Sequence, residues 1–228
     1  MTFSLTARCP RTGQLGIGAL TAMMGVGKLC TYALAGAGAV ASQATMNPYL
    51  GIDGIRQMAD GEPAPDVLKA LIEQDPGRDV RQAAMVDSSG RVAAWTGRHT
   101  MAWSGHREAD QVTAQGNRLV GPETLDAALE AFGEDPELGL AERLLLALEA
   151  GEATGADTKG TLSGTIYVVD AEEYPLWDLR VDHAEDPAAS LRKLYQESLE
   201  KLFPQMGDLP TRADPLGDAA RKALADAS

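Results

Sequence analysis

The sequence of 228 residues predicts an α+β fold, specifically a four-layer αββα sandwich with mainly antiparallel sheets. Three observations predict it: strands with alternating polar and apolar residues, turn sequences that join them in pairs, and amphipathic helices between these pairs along the chain. Two sheets packed face to face, with helices outside both, accommodate this order best. We therefore expect one domain over residues 1–203 and a C-terminal tail with a short helix over 204–228.

The predicted strands come mostly in hairpins, and the first hairpin begins at residue 2. Residues 2–9 alternate polar with apolar side chains, the pattern stops at a Pro-Arg-Thr-Gly sequence, and it resumes over 14–21. An Asp-Ser-Ser-Gly sequence supplies the backbone conformations of a second tight reversal. We expect antiparallel pairing to dominate. The other predicted hairpins join 80–86 to 92–95 and 165–170 to 176–182, with single strands at 37–42 and 111–115.

The predicted helices have recognisable ends and one apolar face each. Pro63, Pro65 and Pro122 stand just before apolar stripes at helical spacing, Gly151 ends another stripe, and Asp186 caps the longest. Each helix should bury its apolar face against a sheet. The predicted helical stripes lie at residues 67–72, 125–132, 139–150, 187–202 and 219–227.

The composition excludes several classes of function. A formal net charge of −13 repels phosphate backbones and anionic lipid surfaces, so we expect neither nucleic acid nor membrane as a partner. No apolar run is long enough to span a bilayer and the first residues do not resemble a secretion signal, so we expect a cytoplasmic protein. Cys9 and Cys30 should be small buried residues, and the three histidines are not spaced as metal ligands. We expect a small-molecule substrate, no cofactor and no metal, and leave a homo-oligomer open.

Thr2 is the candidate nucleophile. If Met1 is removed, Thr2 presents a hydroxyl beside its own α-amino group, whose ordinary pKa of about 7.7 to 8.0 suits a general base at neutral pH. At the tip of the first strand it could point into a cleft between two sheets. The alternative is an ordinary residue in an edge strand, and retention of Met1 would leave Thr2 without a free amine.

Further candidates for substrate binding are polar residues beside the predicted strands. Asn47, His106 and Asn117 stand at strand ends, where loops build pockets, although turn chemistry explains them equally well. Lys159 and Ser163 belong to a polar run that could offer a cation, a hydroxyl and backbone N–H groups to an anionic substrate or oxyanion. A mobile loop is the alternative for that run.

A last pair of candidates lies on one face of the predicted strand at 176–182. Asp178 and Arg180, with Asp182, alternate with apolar residues, so the three charges share a face. In a sandwich covered on both sides, such charges need partners or a polar cleft. In an open sheet the same face would simply be solvated.

Several short blocks of the chain also carry a resemblance to a known family. They keep their order and spacing, and they are Thr2-Phe3-Ser4, Ala39-Val40-Ala41-Ser42-Gln43-Ala44, Asn47-Pro48 with Gly51, Asp75-Pro76-Gly77-Arg78-Asp79, Trp103 with Gly105-His106, Gln115-Gly116-Asn117, and Asp178-Leu179-Arg180-Val181-Asp182. From residue 2 to about residue 202 the chain resembles the bacterial family of uncharacterised proteins called DUF1028.

The resemblance implies a fold, a nucleophile and a substrate class. That family is similar to the N-terminal-nucleophile (Ntn) hydrolases, which share the αββα sandwich, so the resemblance implies Thr2 as nucleophile and amide or peptide-like bonds as substrates. Members usually carry Arg or Lys where this chain has Ala22, and a Gln where it has Leu162, so Lys28 is a candidate replacement for that cation. A non-catalytic small-molecule-binding protein on the same fold, and a purely structural oligomer subunit, are the alternatives.

Overall fold

A computed structural model describes residues 2–156 and 159–227 of the chain. The described residues form a mixed α/β structure with two antiparallel sheets. The large sheet has six strands in the order β10-β9-β2-β1-β8-β7, and the small sheet has four in the order β3-β4-β5-β6. The strands of the large sheet are β1 (Thr2–Arg8), β2 (Leu15–Thr21), β7 (Ser104–Ala109), β8 (Val112–Asn117), β9 (Ser163–Val169) and β10 (Pro175–Val181). Those of the small sheet are β3 (Thr31–Leu34), β4 (Gly38–Ala44), β5 (Arg81–Asp87) and β6 (Val92–Thr96).

The helices fall between the hairpins in sequence, and α1 to α5 pack on the two sheets. The helices α1 and α2 pack on the small sheet, whereas α3, α4 and α5 lie on the side of the large sheet. The N-terminus of α2 is held from outside the helix, because the Asp87 carboxylate accepts the backbone N–H of Ala64 at 3.0 Å. The bounds are α1 (Pro48–Ala59), α2 (Ala64–Gln74), α3 (Glu123–Glu134), α4 (Leu140–Ala153), α5 (Pro187–Lys201), α6 (Phe203–Met206) and α7 (Gly217–Asp226).

The alternation in β1 places its apolar and polar residues on opposite faces, and both faces are buried. Phe3 and Leu5 face the helices and join the core formed with α3 and α4. Ser4 and Thr6 face the small sheet and are equally inaccessible to solvent. Polar residues in the middle of the molecule need hydrogen-bond partners there. The face of β1 that carries Thr2 is therefore the face toward the small sheet.

The structure confirms the three predicted hairpins and corrects the two single strands. The predicted strand at 37–42 is β4 and pairs with an unpredicted β3, and the predicted strand at 111–115 is β8 and pairs with an unpredicted β7. Both unpredicted strands lie at sheet edges, where partial exposure removes the alternating pattern. All strand pairs among the described residues are antiparallel, as expected.

One helix was missed, and the predicted end of another needs correction. The helix α1 was not predicted, although Asn47 caps it through a bond from the Tyr49 N–H and Pro48 stands in its first turn. The helix α4 does not end at Gly151 but continues to Ala153. Gly151 therefore lies inside the helix. The Phe3 ring packs against the helix at this position, and only a glycine leaves room for it, because a Cβ atom would come within 2.7 Å of the ring. Among the described residues, no helix combines the length and the apolar content that crossing a bilayer requires.

Candidate active site

A cavity of about 510 Å³ opens at the end of β1, on the side of the large sheet that faces the small sheet. Thr2 lies in its wall, between Thr21 of β2 and Asn117 of β8, its partners in the two neighbouring strands. The volume is in the range of small-molecule sites, roughly 300 to 1,000 Å³. The structure therefore places the predicted nucleophile in a space that can hold a small ligand.

The hydroxyl and the carbonyl of Thr2 are both held by neighbours. The hydroxyl oxygen lies 3.0 Å from the Thr21 hydroxyl oxygen. The carbonyl accepts an N–H of Gln43 at 3.3 Å and a longer contact from Asn117 at 3.5 Å. Strand pairing on both sides adds to these bonds, so the Thr2 backbone has little freedom to move. A reacting group that is already positioned costs less entropy to bring to its target.

Beneath Thr2, a buried network of side-chain amides connects the two sheets. Gln82 of β5 is fully buried; its amide donates to the carbonyls of Gly105 and Gly116 in the large sheet, at 3.0 and 2.9 Å. Its carbonyl oxygen accepts from Gln43 at 2.8 Å and from Asn117 at 3.0 Å. This network is the floor of the site, because its members also hold the Thr2 carbonyl.

A serine, Ser4, and a third glutamine, Gln115, extend the network under β1. The Ser4 hydroxyl donates to the Gln43 carbonyl oxygen at 2.7 Å and accepts from the Gln115 amide at the same distance. All three side chains are essentially inaccessible to solvent. The network thus replaces the apolar packing that is found further along the same interface, where Leu15 and Ile17 meet the small sheet.

Cys30 is the other nucleophile type in the cavity wall, and its environment keeps it protonated. Burial raises the pKa of its thiol to about 12. A thiol with such a pKa is neutral at pH 7 and is a poor nucleophile. Both cysteines are buried and free, as expected from the sequence. Cys30 is therefore not an activated thiol in this structure.

Of the predicted substrate-binding residues, Asn117 alone lines this cavity. Asn47 lies close in sequence to the wall residues Thr45 and Met46, but its side chain caps α1 and donates to Asp75 at 3.3 Å. His106 lies on β7, where its Nδ1 is 2.9 Å from the Thr96 hydroxyl, and burial lowers the pKa of its imidazole. Asn47 therefore has a local structural role at a helix start, which is closer to the turn chemistry given as its alternative than to substrate binding.

The other predicted residues lie away from the cavity. The buried Ser163 is the register partner of Thr21; its hydroxyl donates to the Met23 carbonyl at 2.6 Å and accepts the Val26 N–H at 3.1 Å. It holds the loop that forms one wall and does not itself face the ligand space. Lys159 is exposed in the turn after α4.

The charges of β10 share one face of the strand, as predicted, but they are exposed at the edge of the large sheet. Asp178 and Arg180 alternate with buried Trp177 and Leu179, and Arg180 pairs with Asp182 at 3.2 Å. They do not line the cavity that contains Thr2. Their environment matches the alternative stated for them, a solvated face, because β10 is an outer strand.

Much of the site is made of residues that sequence patterns did not indicate as functional: Thr21, Gln43, Gln82 and Gln115. A usable signal existed for Gln82, because it lies inside the predicted strand at 80–86, beside apolar residues, and a polar side chain there is unlike a solvated edge. The basic residues of the wall lie in connections after strands, and they are Lys28, His99 and Arg118. The described residues contain no group of three or more His, Cys, Asp or Glu side chains placed to hold a metal ion.

Comparison with known proteins gives a family and a fold. The model of a family described as "Family of unknown function (DUF1028)" matches residues 2–191. The chain is 32% identical to protein SPO2555 from Silicibacter pomeroyi, a solved structure assigned to DUF1028; the match covers 95% of this chain and 98% of that one, with a TM-score of 0.87. The two chains thus share one fold over nearly their whole length.

A second solved structure is only weakly similar. Anbu (ancestral beta-subunit) from Yersinia bercovieri is 12% identical, with 89% of this chain and 97% of that chain covered and a TM-score of 0.43. A similarity at that level carries no argument about function. No curated protein matches the chain.

Proposed function

The chain belongs to DUF1028, a family of unknown function, and we propose that it is an Ntn-type hydrolase that cleaves a small amide or peptide-like bond with Thr2 as nucleophile. The observation that carries the proposal is the position of the Thr2 hydroxyl, at the end of a central strand and in the wall of a cavity of about 510 Å³. Acyl transfer needs a nucleophile, a hydrogen-bond donor and ligand space in one place.

The proposal includes the finer architecture that an Ntn hydrolase requires. We infer that α1 and α2, the small sheet, the large sheet, and α3 to α5 form the four layers of an αββα sandwich. Support comes from the two helix–sheet cores and from the contacts of β1 and β2 with β4. Residues 1–203 would form this single domain, and 204–228 its C-terminal tail.

In the proposed mechanism, the Thr2 hydroxyl oxygen attacks the carbonyl carbon of the substrate amide. The α-amine of Thr2 takes the hydroxyl proton and passes it to the departing nitrogen, so that the C–N bond breaks and an acyl ester forms on Thr2. Water then attacks the ester carbonyl, the acyl group leaves as a carboxylic acid, and the Thr2 hydroxyl is restored. Thr21 would orient the hydroxyl through its 3.0 Å contact.

Asn117 is the side chain best placed to stabilise the oxyanion formed during attack. One N–H of its amide is used by Gln82 at 3.0 Å, whereas the contact of the amide with the Thr2 carbonyl is 3.5 Å long. A contact that long is weak, so a substrate oxyanion could take over that N–H at little cost. Removal of one such donor lowers kcat by about 10²- to 10³-fold in other hydrolases.

The alternative is a non-catalytic small-molecule-binding protein on the same fold, and one observation favours it. The hydroxyl of Thr2 lies beside another hydroxyl, that of Thr21, which is not a general base at neutral pH. Catalysis therefore depends on the α-amine, and so on the removal of Met1. Met1 lies outside the described residues, and the intact mass of protein from the native host decides the point.

The mechanism is tested with a β-lactone, an electrophile that acylates an activated hydroxyl. Protein with Thr2 as its first residue, released from a fusion by proteolysis, should gain one adduct in intact-mass measurement, mapped to Thr2 after digestion. Thr2→Ala should not be labelled, whereas Thr45→Ala, a matched change in the same cavity wall, should be labelled as the parent is. Labelling that persists in Thr2→Ala would exclude Thr2 as the nucleophile.

A further inference from the structure

The cavity around Thr2 differs in charge from the rest of the molecule. The chain has a formal net charge of −13, yet none of the described residues that line the cavity is acidic. Lys28 and Arg118 both line it. Neither has a carboxylate partner within 4.0 Å among the described residues. His99, the third basic residue of the wall, lies near Asp79, which is paired with Arg98.

The two cations follow the two strands that flank β1 in the large sheet. Lys28 lies in the connection after β2, which pairs with one side of β1, and Arg118 directly follows β8, which pairs with the other side. Thr2 stands opposite Thr21 and Asn117, the last residues of those two strands. A ligand whose amide reaches the Thr2 hydroxyl therefore lies in the joint positive potential of both cations.

The backbone conformation at Arg118 supports a role for its position. Arg118 has a φ of 58°, in the left-handed region that costs a residue with a side chain about 1 to 2 kcal/mol. Ala44, at the end of β4 in the same wall, has a φ of 65°. Strained residues of this kind cluster at ligand sites, where the surrounding structure holds them. The strain at Arg118 is accompanied by a bond from its N–H to the Met101 carbonyl at 2.9 Å.

The mouth of the cavity is apolar and built from methionine. Four of the eight methionines in the chain line it, and all four are exposed: Met23, Met24, Met46 and Met101. Exposed apolar side chains gathered at a concave site are typical of ligand binding. Methionine side chains are flexible and polarisable, so they adapt to apolar ligands of varied shape.

From this arrangement we propose that the substrate is an amide that carries a carboxylate together with an apolar acyl group, as in an N-acyl amino acid. The positive potential of Lys28 and Arg118 holds the carboxylate in the cavity, the methionines cover the acyl group, and the amide lies at the Thr2 hydroxyl. The inference rests on the proposed function for the place of the reacting bond. The charge preference itself is a binding property and can be measured without turnover.

The test uses Thr2→Ala protein and calorimetric titration with two probes that differ in one group. N-octanoylglycine carries the carboxylate, and N-octanoylglycinamide replaces it with a neutral amide. We expect the acid to bind about tenfold more tightly than the amide, because Arg–carboxylate bonds are charge-assisted. Equal affinity for the two probes, or no binding of the acid at millimolar concentration, would overturn the proposal.

Variants assign the preference to the two cations. Adding Lys28→Gln and Arg118→Gln to Thr2→Ala should bring the affinities for the two probes within about twofold of one another. Arg118→Lys should keep most of the preference. The double variant Lys193→Gln with Lys201→Gln, on exposed α5, makes the same change in net charge elsewhere and should leave the preference intact. A preference that survives in the variant lacking both cations would show that other groups bind the carboxylate.

The proposed function and the substrate class fail in different ways. Release of octanoate from both probes at equal rates by protein with a free Thr2 would support hydrolysis and overturn the substrate class. A preference for the acid in binding, with no octanoate released and no lactone adduct, would support the anion site and count against hydrolysis. The two measurements therefore separate the two claims.

Discussion

Replacement of Gln82 tests whether the amide network holds the two sheets together beneath Thr2. Gln82→Ala removes an acceptor for the amides of Gln43 and Asn117, and a donor to the carbonyls of Gly105 and Gly116. The side chain is fully buried, so water does not directly replace these bonds. The variant should therefore be less stable and should also hold Thr2 less firmly.

The size of the effect follows from the number of groups left without partners. Gln43 and Asn117 keep their contacts to the Thr2 carbonyl, so we count two or three newly unsatisfied buried groups. At about 1 kcal/mol each, with about 1 kcal/mol more for the cavity left by the side chain, the free energy of unfolding should fall by about 3 to 4 kcal/mol. With a urea m-value of about 2 to 3 kcal/mol/M, the midpoint should fall by about 1.5 M.

The assay is urea unfolding followed by circular dichroism, with two further variants. Gln82→Met keeps the side-chain volume but removes the polar atoms. The free energy of unfolding should therefore fall nearly as much as in Gln82→Ala. Gln196→Ala, on the exposed face of α5, removes the same side chain where it is solvated and should change stability by less than about 0.5 kcal/mol. A loss below about 1 kcal/mol for both Gln82 variants would refute the reasoning, because the network would then contribute no more than a surface residue.

Two other predictions concern packing and pH. Gly151→Ala should lower the free energy of unfolding by about 2 kcal/mol, because its Cβ would press on the Phe3 ring. The control Gly133→Ala adds a Cβ in open space and should be neutral or stabilising. Equal melting temperatures for the two variants would contradict this. Asp87→Asn should cost about 2 kcal/mol at pH 7. Burial by itself raises the pKa of Asp87. Hydrogen bonds from the Ala64 N–H, from Arg91 and from the Ser89 N–H lower it by more, so the folded-state pKa is below the unfolded one. The contribution of the Asp87 carboxylate to stability is therefore present above about pH 4 and is lost as the pH falls through the folded-state pKa. The difference in free energy of unfolding between wild type and Asp87→Asn, measured by urea unfolding, should narrow at pH 3. A gap that stays constant would contradict the assignment.

Local sequence patterns were enough to predict most of the secondary structure. The first hairpin, the turn before β6 and the proline-marked starts of α2 and α3 were predictable because alternation, turn residues and caps act within a few residues. The strands β3 and β7 and the helix α1 were missed. The two strands are half-exposed edges without a clean alternation, and the apolar face of α1 is interrupted by Gly51 and Gly54, which give room to Tyr32 and Met85.

The candidate site also has features that local sequence patterns predict and features that they do not. The sequence by itself determined that Thr2 stands at the start of a strand with one apolar face, and that charges on β10 share a face. Only the tertiary structure decided that the polar face of β1 meets Gln43 from the other sheet, and that Lys28 and Arg118 reach the same cavity while Lys159 does not. The physical reason is that strand order and the pairing of two sheets are set by packing over the whole chain, whereas alternation only states that two faces differ.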